Sequence, residues 1–232
     1  SKILDYSPSL LDSVERLHTP SSNYYGIDYW NAYEFSYLNA SSQQKLETLE
    51  IKIPADSKIT VESKSLKIYL ASFYKKKFKA SINAYQLIAK DLSKLLQSKI
   101  MVSKKNFYEE PPKAFLLNRS DAMVPKNKII RYEGFRSICP VTSQPDWANI
   151  YIHSSSNALD AKKIIKLLKS FKERGDFHEA CIDSIFTSLM HDFHINDLTV
   201  CGRFLRRGGI DINPIRSSKK KIFFNNFRDF NQ

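Results

Sequence analysis

The chain has 232 residues, 42% of them hydrophobic and 26% charged, a composition that fits one large or two modest globular domains and excludes wholesale disorder and fibrous classes. No apolar run approaches the roughly 20 residues that span a bilayer, and the opening stretch, with Asp5, Asp12 and Glu15, does not read as a secretory signal peptide. Lys+Arg 36 against Asp+Glu 24 leaves a formal charge of +12, which keeps open a nucleic-acid binder, an enzyme of phosphorylated ligands or a lysine-rich proteome.

In chain order, Leu46 to Ile53 alternates with period two, the pattern of a half-buried strand. Ser65 to Phe73 then places Leu66, Tyr69, Leu70 and Phe73 on one helical face. A second helix carries Ile82, Tyr85, Ile88, Ala89, Leu92 and Leu96 at three- and four-residue spacing, and Ile100 to Val102 reads as a strand. Glu109-Glu110-Pro111-Pro112 and Pro125 to Asn127 punctuate the chain as a linker. Beyond it, Ala148 to Ile152 is a strand and Ala161 to Phe171 a helix presenting Ile164, Ile165, Leu168 and Phe171. Phe177 to Phe193 is a helix presenting Cys181, Ile185, Phe186, Leu189 and Phe193, and Leu198 to Phe204 a strand. Leu70-Ala71-Ser72-Phe73 is echoed by Leu168-Lys169-Ser170-Phe171, 98 residues on. Two copies of strand, helix, helix, strand predict a duplicated α+β architecture: a module over 1–108, a linker over 109–130 and a second module over 131–232.

Four polar segments stand out as places for chemistry. Glu62-Ser63-Lys64-Ser65-Leu66-Lys67 opens a helix, where outward N–H groups bind phosphate; the bland reading is a capped helix with Ser63 or Ser65 as N-cap. Cys139-Pro140 to Asp146-Trp147 places a thiol and an acid in one proline-braced loop, against the bland reading of a small buried hydrophobe. Phe177-His178-Glu179 heads a helix and suits the edge of a nitrogen heterocycle, or a helix start with Glu at the positive dipole end. Arg206-Arg207-Gly208-Gly209 joins two guanidiniums to a glycine pair, in a chain with only 6 Gly, and suits close approach to a phosphate.

Cys139, Cys181 and Cys201 are odd in number and lack C-x-x-C spacing, which argues against a disulfide framework and a zinc ribbon and for a reducing, cytoplasmic setting. A zinc site of His178, Cys181 and Cys139 lacks a ligand spacing, and Cys181 falls on an apolar stripe. The runs Lys75-Lys76-Lys77 and Lys219-Lys220-Lys221 read as solvated faces; a basic RNA-binding module is the alternative they motivate.

Taken together and in this order, these segments resemble the NADPH-dependent nitrile reductases of queuosine biosynthesis, the 7-cyano-7-deazaguanine reductases, in their longer, bimodular form. The match is carried by Tyr6-Ser7-Pro8-Ser9-Leu10-Leu11, Glu34 to Asn39, Ile53 to Ser57, Glu62 to Phe73, Cys139 to Trp147, Phe177-His178-Glu179 and Arg206 to Ser217. In the short form of the family the Cys precedes the Glu-Ser-Lys segment; here Cys139 follows it, which is the bimodular arrangement.

The resemblance implies a tunnelling fold (T-fold) of tandem modules, with antiparallel sheets and helices on the outer face. It implies reduction of a deazaguanine nitrile to a primary amine with two NADPH, in a cytoplasmic homodimer that binds neither membrane nor nucleic acid directly and uses no metal. By the same resemblance, Cys139 is the nucleophile of a covalent thioimide and Asp146 the proton donor. Val61, Glu62, Ser63, His178 and Glu179 hold the base, and Ser63, Lys64, Arg207 and Gly208 contact NADPH. A zinc-dependent pterin cyclohydrolase on the same fold is the alternative with different chemistry.

Overall fold

The computed structural model describes residues 5–16, 24–117 and 123–232. They form an α+β structure that divides into two compact units. The described residues of the first unit are 5–16, 29–107 and 206–211, and those of the second are 24–28, 108–117, 123–205 and 212–232.

The first unit begins with a 3-10 turn, Pro8–Leu10, and β1, Ser13–Glu15. There follow β2, Tyr25–Leu38, which enters from the second unit at Tyr29, then β3, Gln44–Pro54, β4, Ile59–Val61, α1, Ser63–Ala71, α2, Ser81–Leu96, and β5, Met101–Lys104. The larger strands lie in the order β5-β3-β2, with β3 and β5 antiparallel and Ile51 opposite Val102. β1 pairs separately with β4, Ser13 opposite Val61. Of the stripes read from the sequence, Leu66, Tyr69 and Leu70 on α1 and Tyr85, Ile88, Leu92 and Leu96 on α2 are buried, whereas Ala89 is half-buried and the buried Ala84 lies outside the expected face. Ile82 departs further; placed on the apolar face by its spacing, it is 51% exposed in the first turn of α2. Phe73, just past α1, packs edge-on to Tyr6, Phe35 and Tyr69, with centroids at 4.9, 5.4 and 5.1 Å. Each such fully buried ring stabilises the unit by about 1.5–3 kcal/mol.

The second unit contains β6, Phe115–Leu116, β7, Met123–Val124, β8, Ile129–Ile138, and β9, Pro145–His153. It continues with β10, Leu159–Asp160, α3, Ala161–Lys169, α4, His178–His191, β11, Thr199–Phe204, and β12, Ile210–Ser217, whose first two residues belong to the first unit. The strand order is β12-β11-β9-β8-β6. One face, with Ile130, Phe135, Ile150, Ile152, Val200 and Phe204, packs on Ile164, Leu168, Cys181, Ile185 and Leu189 of the helices. The other face is covered by the segment 223–232. There the Asp229 carboxylate accepts from Asn149 Nδ2 and Tyr151 OH, both at 2.8 Å, and Phe227 packs on Tyr151.

The stretch 109–130 is not a free linker where it is described. Leu117 is fully buried in the core of the second unit, β6 runs parallel to β8, and the Glu109 carbonyl accepts from Arg228 N at 3.3 Å. Positions 118–122 lie outside the described residues.

Residues 206–214, read as a phosphate loop, form a hairpin turn and the start of β12. Arg207 and Ile210 exchange backbone hydrogen bonds around Gly208 and Gly209, at φ +57 and +80. Two adjacent positive φ angles are the pattern of a type I′ turn, which glycine adopts without steric cost.

Candidate active site

Cys139 follows β8, at the mouth of a tight turn into β9. Its N–H donates to the Gln144 carbonyl at 2.8 Å, and its own carbonyl accepts from Ser143 N at 2.9 Å. The thiol is half-buried. Burial pushes its pKa up, but the Thr142 hydroxyl and the N–H groups of Thr142 and Val141 bond the sulfur and pull it down. The Asp146 charge raises it again, and the balance leaves Cys139 below the ordinary 9.0. The other two cysteines are of a different kind. Cys181 and Cys201 are fully buried, and desolvation pushes each up to about 12.

Asp146 lies on β9 directly opposite Ser137 of β8, so both side chains point to the helix-covered face. That face brings it to His178, the first residue of α4: Nε2 is 3.2 Å from Asp146 Oδ2. The His178 ring stacks on Phe204 at the end of β11, with centroids 3.9 Å apart and planes 7° apart. Its Nδ1 is buried without a hydrogen-bond partner. A buried imidazole nitrogen left open beside a paired carboxylate is a place for a polar group of a ligand. Glu179, next in sequence, is buried in the first turn of α4, where the helix dipole favours its charge.

In the first unit, Val61 is buried at the end of β4 and Glu62 caps α1. The cap is the glutamate, not Ser63 or Ser65: Glu62 Oε1 accepts from Lys64 N at 2.8 Å, and Oε2 from Ser65 N at 2.6 Å. Ser65 instead bonds back to the Glu62 carbonyl and receives Asp12 N. Two helix N–H groups that were candidates for a phosphate are therefore occupied by Glu62. The carboxylate, with about four acceptor positions, keeps capacity for further donors.

Lys67, one turn after Lys64 on α1, extends across the glycine turn. Its Nζ, Cε and Cδ lie 3.1–3.3 Å from where a Cβ of Gly208 would be. The Glu34 carboxylate fills the same place at Gly209, and the Arg206 guanidinium lies over the Tyr33 ring at 4.8 Å. The α1 start and the Arg207-Gly208 turn are thus one neighbourhood, joined by Lys67. In the sequence Lys67 is marked only as part of a helix-start segment, and its i, i+3 spacing from Lys64 is the signal that places both on one face of α1. Thr142 lay inside the loop already singled out, whereas nothing in the local pattern marked Phe204.

Cys181 is on the apolar stripe of α4, and among the described residues no three His, Cys, Asp or Glu side chains converge as a metal site. Of the lysine runs, Lys76 lies over the Tyr6 ring at 4.2 Å and Lys219 pairs with Asp197 at 2.7 Å. Among the described residues no helix is long and apolar enough to cross a membrane.

Residues 4–104 match a family model described as nitrile reductase, 7-cyano-7-deazaguanine-reductase N-term, and residues 145–223 one described as QueF-like protein. A relative from Coxiella burnetii (strain Dugway 5J108-111) is 34% identical over 260 residues, covering 98% of this chain and 92% of its own. One from Hahella chejuensis is 32% identical over 244 residues (92% and 89%), and one from Teredinibacter turnerae 34% over 240 (92% and 87%). All three are named NADPH-dependent 7-cyano-7-deazaguanine reductase.

Proposed function

The chain belongs to the 7-cyano-7-deazaguanine reductase family, and we propose that it reduces the nitrile of 7-cyano-7-deazaguanine to the aminomethyl group, in the making of queuosine, through a thioimide on Cys139. The observation that carries the reading is the arrangement in the second unit. There a half-buried thiol with lowered pKa shares a hairpin with an acid, and the acid is paired with His178.

A nitrile carbon is a poor hydride acceptor, and addition of a thiolate converts it into a C=N centre that accepts hydride far more readily. Asp146 takes the Cys139 proton as the sulfur–carbon bond forms, then delivers it to the nitrile nitrogen. The net step adds S–H across the triple bond. His178, at 3.2 Å, holds the carboxylate in place through both transfers. NADPH, when bound, supplies the two hydrides that the four-electron reduction requires. After the first, the Cys139 sulfur leaves with its bonding electrons and an imine remains; the second hydride and a proton to the nitrogen complete the amine, and a further proton restores the Cys139 thiol.

For the base, the proposed acceptors of the deazaguanine N–H edge are Glu62, with Val61 and Ser63, in the first unit, and Glu179, with His178, in the second. Glu62 is pre-oriented by its two helix N–H bonds. Ser63, Lys64, Arg207 and Gly208 fit the phosphates of NADPH, to which Lys67 adds a further cation at the glycine turn. The recurrence of strand, helix, helix, strand supports tandem T-fold modules. Hydrolysis of thioimide and imine must be suppressed, for which closure of the site in a homodimer is the proposed means, and three cysteines without a pairing pattern fit a reducing cytoplasm.

The test is intact-mass analysis of the protein mixed with the nitrile alone, followed by NADPH consumption. One adduct per chain, absent in Cys139→Ala, and two NADPH oxidised per amine formed are expected. No adduct with Cys139 reduced sinks the reading.

A further inference from the structure

Phe204 occupies a gap in a β-ladder. The recorded pairs of β11 and β12 run from Thr199–Ser217 to Cys201–Ile215, and the next residue of β12 is Pro214, which has no N–H to give. Beyond it, side-chain amides take over the backbone of Phe204. Its N–H donates to Asn213 Oδ1 at 3.2 Å, and its carbonyl accepts from Gln232 Nε2 at 2.9 Å. Gln232 Nε2 also donates to Asn213 Oδ1 at 2.7 Å, so the two amides brace each other.

The Gln232 carbonyl is held as firmly, accepting from Arg203 Nε at 3.1 Å and Asp229 N at 3.0 Å. Arg203, fully buried, further donates through both terminal nitrogens to Asn226 Oδ1. Every polar atom of the Gln232 amide is therefore used, and its orientation is set by what surrounds it. On the opposite face of β11 the Phe204 ring lies flat under His178, whose Nε2 meets Asp146.

We propose that Gln232 and Phe204 are positioning residues for the His178–Asp146 pair, the amide fixing the strand end and the ring fixing the plane of the imidazole. The proposal rests on the nitrile reductase reading for its kinetic consequence and on geometry alone for its structural one. A proton shuttle needs its carboxylate within hydrogen-bond reach of donor and acceptor, and displacements near 1 Å cost on the order of tenfold to a hundredfold in rate. Removing the amide takes the Gln232 donor from the Phe204 carbonyl and the acceptor from Arg203 Nε, while the terminal nitrogens of Arg203 keep Asn226, and this tilts the strand end; removing the ring frees the imidazole to rotate.

The test uses the full chain with Gln232→Ala, Gln232→Glu and Phe204→Leu. Its primary readout is the NMR signals of the His178 ring, assigned with His178→Asn among the 5 histidines. In the unmodified protein the stacked Phe204 ring moves the His178 ring protons upfield. That displacement is lost in Phe204→Leu and reduced in both Gln232 variants. In parallel, kcat falls roughly tenfold in Phe204→Leu and about threefold in Gln232→Ala, while KM for the nitrile changes less than kcat. His178 signals and kcat that are the same in folded Gln232→Ala as in the unmodified protein overturn the proposal. So do His178 signals that show no ring-current displacement at all. A protein that shows the displacement but forms no thioimide overturns the reaction and leaves the positioning intact, so the two failures are told apart.

Discussion

At Cys139, desolvation and the Asp146 charge favour the thiol, while the Thr142 hydroxyl and the amides of Thr142 and Val141 favour the thiolate, and the second set wins. The balance makes Thr142 a measurable part of the nucleophile. In Thr142→Val one donor to the sulfur is lost, so the Cys139 pKa rises and less thiolate is present at neutral pH. Alkylation by iodoacetamide, followed by intact mass across pH, is expected to show a midpoint below 9.0 in the unmodified protein and a higher one in the variant. An unchanged midpoint contradicts the assignment. Cys181 and Cys201, pushed up to about 12 and buried, stay unlabelled over the same range and serve as internal controls.

The elements that hold this chemistry are tied down by groups their own sequence does not explain. α4 lies close on β11 because position 202 is glycine; a Cβ there would come within 2.7 Å of Ile182 Cδ1 and 2.9 Å of the Phe204 ring. On β12, Arg216 is fully buried between Asp28 of β2, at 2.7 Å, and Asp183 of α4. Burial works against its charge, but the two carboxylates raise its pKa further than burial lowers it. Arg216→Met takes the buried guanidinium from two buried carboxylates and is expected to lower unfolding free energy by about 3–5 kcal/mol in urea titrations. Adding Asp28→Asn and Asp183→Asn to the same chain returns much of that loss, because buried ions cost most when unpaired. If the triple variant is no more stable than Arg216→Met, the cluster is not the cause.

For the molecule as a whole, the +12 balance favours an anionic cofactor over long range. As ionic strength rises from about 10 mM to 0.5 M, screening shortens from roughly 30 Å to a few ångström. kcat/KM for NADPH is then expected to fall several-fold while kcat holds. A flat salt profile in steady-state kinetics shows that the surplus lysines are only a solvated surface. The division into units is another property of the whole. The chain does not break into a first and a second half: 206–211 packs with the first unit and 24–28 with the second, and 109–117 is built into the second by Glu109, β6 and Leu117. Pro and Gly punctuation marks where a chain bends, not which body it joins.

The four α-helices of the described residues are legible in the amino-acid order, because an amphipathic helix writes its buried face at three- and four-residue spacing within a few turns. So is the crowding of Cys139 and Asp146 into one turn, since a short hairpin needs only local residues. β2, the longest strand at 14 residues, is not legible. Its buried Asp28 and Asn31 break the apolar alternation, and they pair with Arg216 and Asp211, 188 and 180 positions away. The meeting of Asp146 with His178, and of His178 with Phe204, has the same character. A buried polar group declares itself polar in the sequence, but its partner is chosen by chain pairing over long separations, and only the folded structure supplies that choice.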